Sequence, residues 1–233
     1  MTSSAFVKNH SFYQDIDGVL PVIKPKGMIS KDISRQIQKY VGKRYPLGHV
    51  GTLDPMAEGI LPIVLGRATK IQDLLLIFPK TYRFVLELGR LTTTLDNDGE
   101  TLEVKPQPVG LTIEKVKEVA QTLLGSQLQT PPIFSAVKYK GKPLYQYARE
   151  KKDHLVDLGS LSREVSVHQI DVLNVSGSKI ECTVQVSKGT YIRVLAFDLA
   201  KKLGNIGTLI ELERTASGGF DLTTSYVWSD ILT

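Results

Sequence analysis

Tyr82, Phe84, Leu86 and Leu88 fall at every second position with Arg83, Val85 and Glu87 between them, and Ile180, Cys182, Val184 and Val186 repeat that pattern much later. A period of two places one set of side chains on one face of a strand and the other set opposite. Elsewhere the apolar residues recur at helical spacing. Ile33, Ile37, Tyr40 and Val41 form one such stripe, and Ile71, Leu74, Leu75 and Phe78 a second. Val116, Val119, Ala120 and Leu123 make a third, and Ile192, Leu195, Leu199 and Leu203 a fourth. The two periods are interspersed without a regular βαβ rhythm. That predicts an α+β fold with a mixed, mostly antiparallel sheet and flanking helices.

Turn and cap residues set the expected boundaries. Gly18 to Ile23 reads as a short buried strand, followed by a turn at Lys24-Pro25-Lys26-Gly27. Ser30 is placed to cap the first helix and Gly42 to end it, with a loop from Lys43 to Gly59. Pro79 stops the second helix, Gly125 the third and Gly204 the fourth, and a last strand covers about Thr208 to Arg214. No repeat and no Pro- or Ser-rich linker divides the chain, so residues 1–233 read as a single domain. The stretch from about 127 to 160 is rich in Lys, Tyr and turn residues, and suits an insertion projecting from the core.

With 29 Lys plus Arg against 24 Asp plus Glu, the chain carries +5 and permits a polyanionic partner. Cys182 is the only cysteine, which excludes an internal disulfide, and its place in an alternating apolar run reads as core. The leader MTSSAFVKNHSFYQDID lacks the apolar stretch of a signal peptide, and no run approaches the roughly 20 residues of a membrane span. These features predict a cytoplasmic protein.

The loop GHVGTLDPMAEG, from Gly48 to Gly59, is the stretch richest in chemistry. Its glycines allow unusual backbone angles and close approach by a ligand, and Pro55 stiffens the chain directly after Asp54. An aspartate presented this way can be a nucleophile, a general base, a metal ligand or a helix cap. His49 on its own fits a hydrogen-bonded structural histidine. The four histidines are scattered without ligand spacing, and GxGxxG, GxSxG and HExxH are absent, so no metal or cofactor is expected. Further on, lysines at 138, 140, 142, 151 and 152 interleave with Tyr139, Tyr145 and Tyr147. That mix suits RNA, with ammonium groups on phosphates and aromatic faces on exposed bases, and it equally suits a solvated basic face.

Six stretches in order through the chain carry a resemblance: VIKPKGMIS, GHVGTLDPMAEGILPIVLGRATK, KTYRFVLELGRLTTTLDNDGE, QTPPIFSAVKYKGKPLYQYAR, VSKGTYIRVLAFDLAKKLG and LIELERTASGGF. Together they resemble the TruB family of tRNA pseudouridine synthases, which convert the T-loop uridine at tRNA position 55 to pseudouridine. The resemblance implies the pseudouridine synthase fold with a thumb-like insertion. It implies Asp54 as the nucleophile, Arg193 as its ion-pair partner, and Tyr82 stacking on the target ring with a possible proton-transfer role. Tyr191 and Leu212 would line the uridine pocket, and His49 would fill the space the base vacates. Lys24, Lys138, Tyr145 and Arg149 would contact the RNA. Isomerisation breaks a C–N glycosidic bond and forms a C–C bond, and a carboxylate can attack at C1′ or C6 without an external energy source. The partner implied is the T-arm of tRNA, bound by a monomer without guide RNA or membrane. This chain departs from the pattern in three ways: Thr93 where relatives often carry an acidic residue, Glu150-Lys151-Lys152 after Arg149, and no C-terminal PUA domain of the kind many bacterial relatives carry.

Overall fold

The computed structural model describes residues 16–231. The first fifteen residues, with His10 and most of the leader read above as free of a signal peptide, lie outside them. In chain order the elements begin β1 (Gly18–Lys24), α1 (Ser30–Val41), β2 (Leu47–His49), β3 (Glu58–Leu65), α2 (Gln72–Ile77) and β4 (Lys80–Leu88). There follow β5 (Arg90–Thr92), β6 (Thr101–Val104), α3 (Ile113–Gln121), β7 (Gly125–Gln129), β8 (Lys138–Tyr139), β9 (Lys142–Pro143) and α4 (Leu144–Arg149). The chain continues with β10 (Arg163–Ser176), β11 (Lys179–Val186), α5 (Ile192–Lys202) and β12 (Gly207–Ser217). It ends in β13 (Phe220–Asp221), β14 (Tyr226–Val227) and α6 (Trp228–Ile231).

The chain divides into two compact units, residues 1–82 with 212–233, and residues 83–211. In the first, β1 pairs antiparallel with β3 from Gly18↔Leu65 to Lys24↔Gly59, while β14 joins β1 in parallel. The second half of β12 runs parallel to β3, with Arg214 opposite Gly59. Ile33, Ile37 and Val41 of α1 pack with Val22, Leu61, Ile63, Leu65, Trp228 and Ile231 in one buried cluster. The helical spacing thus places α1 correctly, although Tyr40 turns out to solvent. In the second unit β7, β10 and β11 form an antiparallel run, and Phe84, Leu86 and Leu88 are buried while Arg83, Val85 and Glu87 are not, as their alternation predicts. Cys182 is buried in β11, and burial pushes its thiol up to about 12. The sheet is mixed and largely antiparallel, as expected.

Several local expectations are corrected. Ser30 does not cap α1. Ile29 holds the cap position in extended backbone, and the Ser30 hydroxyl turns instead to Leu53. The loop expected over 43–59 is interrupted by β2, which pairs with β3. The expected second helix is a 3-10 turn (Gly66–Ile71) plus the six-residue α2, and most of its apolar stripe faces out: Ile71, Leu74 and Phe78 are 42%, 61% and 50% exposed, and Leu75 is half-buried. Gln72 donates to the His49 carbonyl at 3.2 Å, and Lys80 Nζ satisfies the carbonyls of Leu76 and Phe78. β12 is not the last strand, since β13 and β14 follow it. β10, the longest strand, has no counterpart in the sequence reading. Register shifts after Val167 and Val172 move its buried set from Val165 and Val167 to Ile170 and Val172, so the period of two breaks mid-strand.

The exposed stripe and the buried cluster make opposite predictions. Ile33→Ala should cost about 2–5 kcal/mol in urea unfolding, and Leu74→Ala should stay within about 0.5 kcal/mol. A Leu74→Ala cost as large as that of Ile33→Ala would contradict the outward placement of α2.

Candidate active site

In the first unit, Val50 to Ala57 carry the chain from β2 to β3 with Asp54 at the middle of the turn. Leu53, Met56 and Ala57 are buried and leave Asp54 half-buried between them. The Asp54 carbonyl accepts from the Ala57 amide at 3.1 Å, closing a tight turn, and the Pro55 carbonyl accepts from the Gly27 amide at 2.7 Å. Lys24, expected at the RNA surface, is instead fully buried and acts on this loop. Its Nζ donates to the carbonyls of Pro25 (3.0 Å), Met28 (2.7 Å) and Pro55 (3.4 Å). An ammonium with all three protons on backbone oxygens has none left for phosphate. Burial lowers its pKa from 10.5 to about 8, against the pull of the Asp54 carboxylate and with the help of Arg214.

His49 ends β2 with both ring nitrogens engaged, Nδ1 with Ser34 Oγ at 3.0 Å and Nε2 with Thr52 Oγ1 at 3.2 Å. Burial, reinforced by the Arg214 charge, holds the imidazole below its usual range, so it is uncharged at neutral pH. Tyr82 lies on the buried face of β4 and Leu212 is buried in β12, both in this unit. Arg214, which the sequence reading did not single out, is buried beneath the loop.

The second unit carries Arg193 and Tyr191. Arg193 stands in the first turn of α5, almost fully buried. Its Nη1 donates to the Thr94 carbonyl at 2.6 Å, its Nη2 to the Phe134 carbonyl at 2.9 Å, and its Nε lies 3.4 Å from Asp96 Oδ2. Asp96 is oriented in turn by Thr94 Oγ1 at 2.6 Å and the Asp98 amide at 3.0 Å. Asp96 was visible only as part of the quoted TTTLDNDG stretch, without a role. Tyr191 precedes α5, and the Gln129 side chain grips its backbone from both sides, at 2.7 Å on the amide and 3.2 Å on the carbonyl. The Arg163 guanidinium lies 5.0 Å from the Tyr191 ring centroid.

Between β7 and β10 runs the basic segment, with Gln127 to Gln129 belonging to β7 itself. β8 and β9 form a hairpin closed by Lys140 and Gly141, and the buried Leu144 roots α4. Tyr139 and Tyr147 meet edge to face at 6.1 Å, with Lys142 Nζ 4.8 Å from the Tyr147 centroid. Arg149 lies over Tyr145 at 5.3 Å. Glu150 takes both Lys142 at 2.6 Å and Lys152 at 3.1 Å, and these hold its carboxyl below the usual range. Lys138 and Arg149 are exposed.

Among the described residues no group of three or more His, Cys, Asp or Glu side chains is arranged to hold a metal, and no helix is long and apolar enough to cross a membrane. The family model for the N-terminal domain of TruB family pseudouridylate synthases matches residues 38–192. The chain belongs to the TruB family. The match takes in the Asp54 loop, Tyr82, the basic segment and Tyr191, and stops one residue short of Arg193. Among TruB relatives, the tRNA pseudouridine synthase B of Caldanaerobacter subterraneus is 42% identical over 217 residues, covering 93% of this chain and 74% of that one. That of Clostridium tetani is 40% identical over 216 residues, covering 93% and 73%. A chain of a solved Cbf5-Nop10-Gar1 complex superposes with a TM-score of 0.66 at 29% identity, covering 90% of this chain. This TruB family chain spans about half, 52%, of that solved chain.

The buried Lys24 gives a pH signature. The unfolded chain keeps the lysine proton up to about its ordinary 10.5, whereas the folded protein releases it at about 8. Between those values the unfolded state binds more protons, so this group's contribution to stability rises with pH. The stability of the wild type relative to Lys24→Met should therefore climb from pH 8 to 10.5 in urea titrations. A difference that stays flat over that window would contradict the assignment.

Proposed function

We propose that this chain isomerises uridine to pseudouridine in tRNA, at position 55 of the T-loop, with Asp54 as the covalent nucleophile. The observation that carries the reading is Asp54 itself: a half-buried carboxylate at the apex of a loop fixed through its backbone, within the stretch matched by the TruB family model. Relatives covering 93% of the chain and named tRNA pseudouridine synthase B support tRNA as the substrate.

In this reading Arg193 pairs with Asp54 and orients its carboxylate for attack. Tyr82 stacks on the target ring, and Tyr191 and Leu212 line the pocket around it. The base must leave its stack at a cost of a few kcal/mol, and the uncharged imidazole of His49 is suited to fill the gap. Lys138, Tyr145 and Arg149 on the basic segment grip the T-arm. The protein works as a cytoplasmic monomer without metal, cofactor or guide RNA.

A second reading is favoured by one comparison: a similar solved chain belongs to an H/ACA RNP bound to a substrate RNA, at 25% identity and a TM-score of 0.66. Guided action would make modification depend on an added RNA. The test is to incubate the purified protein with a tRNA transcript and with an isolated T-arm hairpin, in EDTA and without guide RNA, and to map pseudouridine at nucleotide resolution. Modification of the T-loop uridine in both substrates is expected, and Asp54→Asn should lower turnover by more than about 1,000-fold while binding stays near wild type. Robust product from Asp54→Asn, or product only when a guide is supplied, would contradict the proposal.

A further inference from the structure

Two buried side chains outside the assigned chemistry converge on the backbone on either side of Asp54. We infer that Arg214 and Ser30 are positioning residues for Asp54, clamping the loop backbone so that the carboxylate is presented in one place while neither side chain touches RNA. The inference rests on Asp54 being the nucleophile.

Arg214 is 0% exposed. Its Nη2 donates to the Gly51 carbonyl at 2.8 Å and its Nε to the Ile60 carbonyl at 2.6 Å, so one guanidinium ties the two ends of the loop that carries Asp54. The two donors leave a rigid planar group from different nitrogens in fixed directions, whereas a lysine ammonium presents all its donors from one atom on a flexible stem. The loop glycines answer to the same residue. Gly59 lies opposite Arg214 in the β3–β12 ladder at φ +105, and a Cβ there would stand 2.3 Å from the Arg214 carbonyl oxygen. Gly51, at φ +72, would place a Cβ 3.2 Å from Arg214 Nη1. The glycine spacing that marks this loop in the sequence is therefore the spacing that lets Arg214 close on it.

Ser30 acts at the adjoining peptide. Its fully buried hydroxyl accepts from the Leu53 amide and donates to the Leu53 carbonyl, both at 2.9 Å. Asp54 is the next residue: the Leu53 carbonyl lies in the peptide that carries its backbone nitrogen and the Leu53 amide in the peptide before, so two successive peptides leading into Asp54 are pinned. A displacement of about 1 Å at a reacting group can cost on the order of 100-fold in rate, which is the effect expected from releasing the clamp.

The test compares Arg214→Lys, Ser30→Ala and Asp54→Asn in the full chain, measuring kcat, KM for tRNA, tRNA affinity and the folded fraction. Ser30→Ala removes one oxygen from a helix position that alanine suits, so it reports even where Arg214→Lys fails to fold. Expected is a fall in kcat per folded molecule of about 10- to 100-fold in Ser30→Ala and in folded Arg214→Lys, with KM and affinity close to wild type. A wild-type kcat per folded molecule in Ser30→Ala, beside an inactive Asp54→Asn, would overturn the clamp and leave the nucleophile standing. An active Asp54→Asn would overturn both.

Discussion

Arg214 donates from inside the first unit to the carbonyls of Gly51 and Ile60, and the loop around Asp54 takes its shape from that requirement. A buried cation is tolerated only where backbone oxygens turn inward to meet it, because its desolvation costs several kcal/mol. Hydrogen bonds to charged groups contribute about 1.5–3 kcal/mol each, whereas exposed ion pairs such as Arg35–Asp32 contribute about 0–1. The buried donors therefore dominate the geometry of this unit, and Lys24 repeats the device with Pro55 as one of its acceptors. Burial, reinforced by the Arg214 charge, holds the neighbouring His49 uncharged. One local choice, cations under a glycine-rich loop, thus fixes the backbone on either side of Asp54.

The second unit uses a guanidinium in the same way. Arg193 is anchored by Thr94, Phe134 and Asp96 before any substrate arrives, so its orientation is a property of the fold. The basic segment is built on the opposite principle. Its ion pairs with Glu150 are exposed and individually weak, so an RNA phosphate can take Lys142 or Lys152 from that carboxylate at little cost.

Much of this was legible in the sequence where one period runs unbroken. β4 and β11 alternate cleanly, and the stripe of α5 faces the core. β10 was not legible because its register shifts exchange the buried set halfway along. α2 was misread because periodicity reports a stripe without saying what covers it, and here no α2 side chain is fully buried while Gln72 donates to the His49 carbonyl. The Asp54 loop stood out through its glycines, yet the reason for them did not, since Arg214 lies far along the chain and looks like any basic residue in a strand. Lys24 and Ser30 were seen and given the wrong tasks. Spacing cannot show that a lysine will be sealed under a loop, or that a serine at a helix start will turn its hydroxyl to a distant peptide.

The Asp54 loop is already fixed in the free protein. Native-state hydrogen exchange at the Leu53 amide, which donates to Ser30 inside the fold, is the decisive measurement. Protection comparable to the amides of β3 is expected, opening only with the unit as a whole. Exchange of the Leu53 amide at the rate of an exposed loop, with β3 still protected, would contradict it.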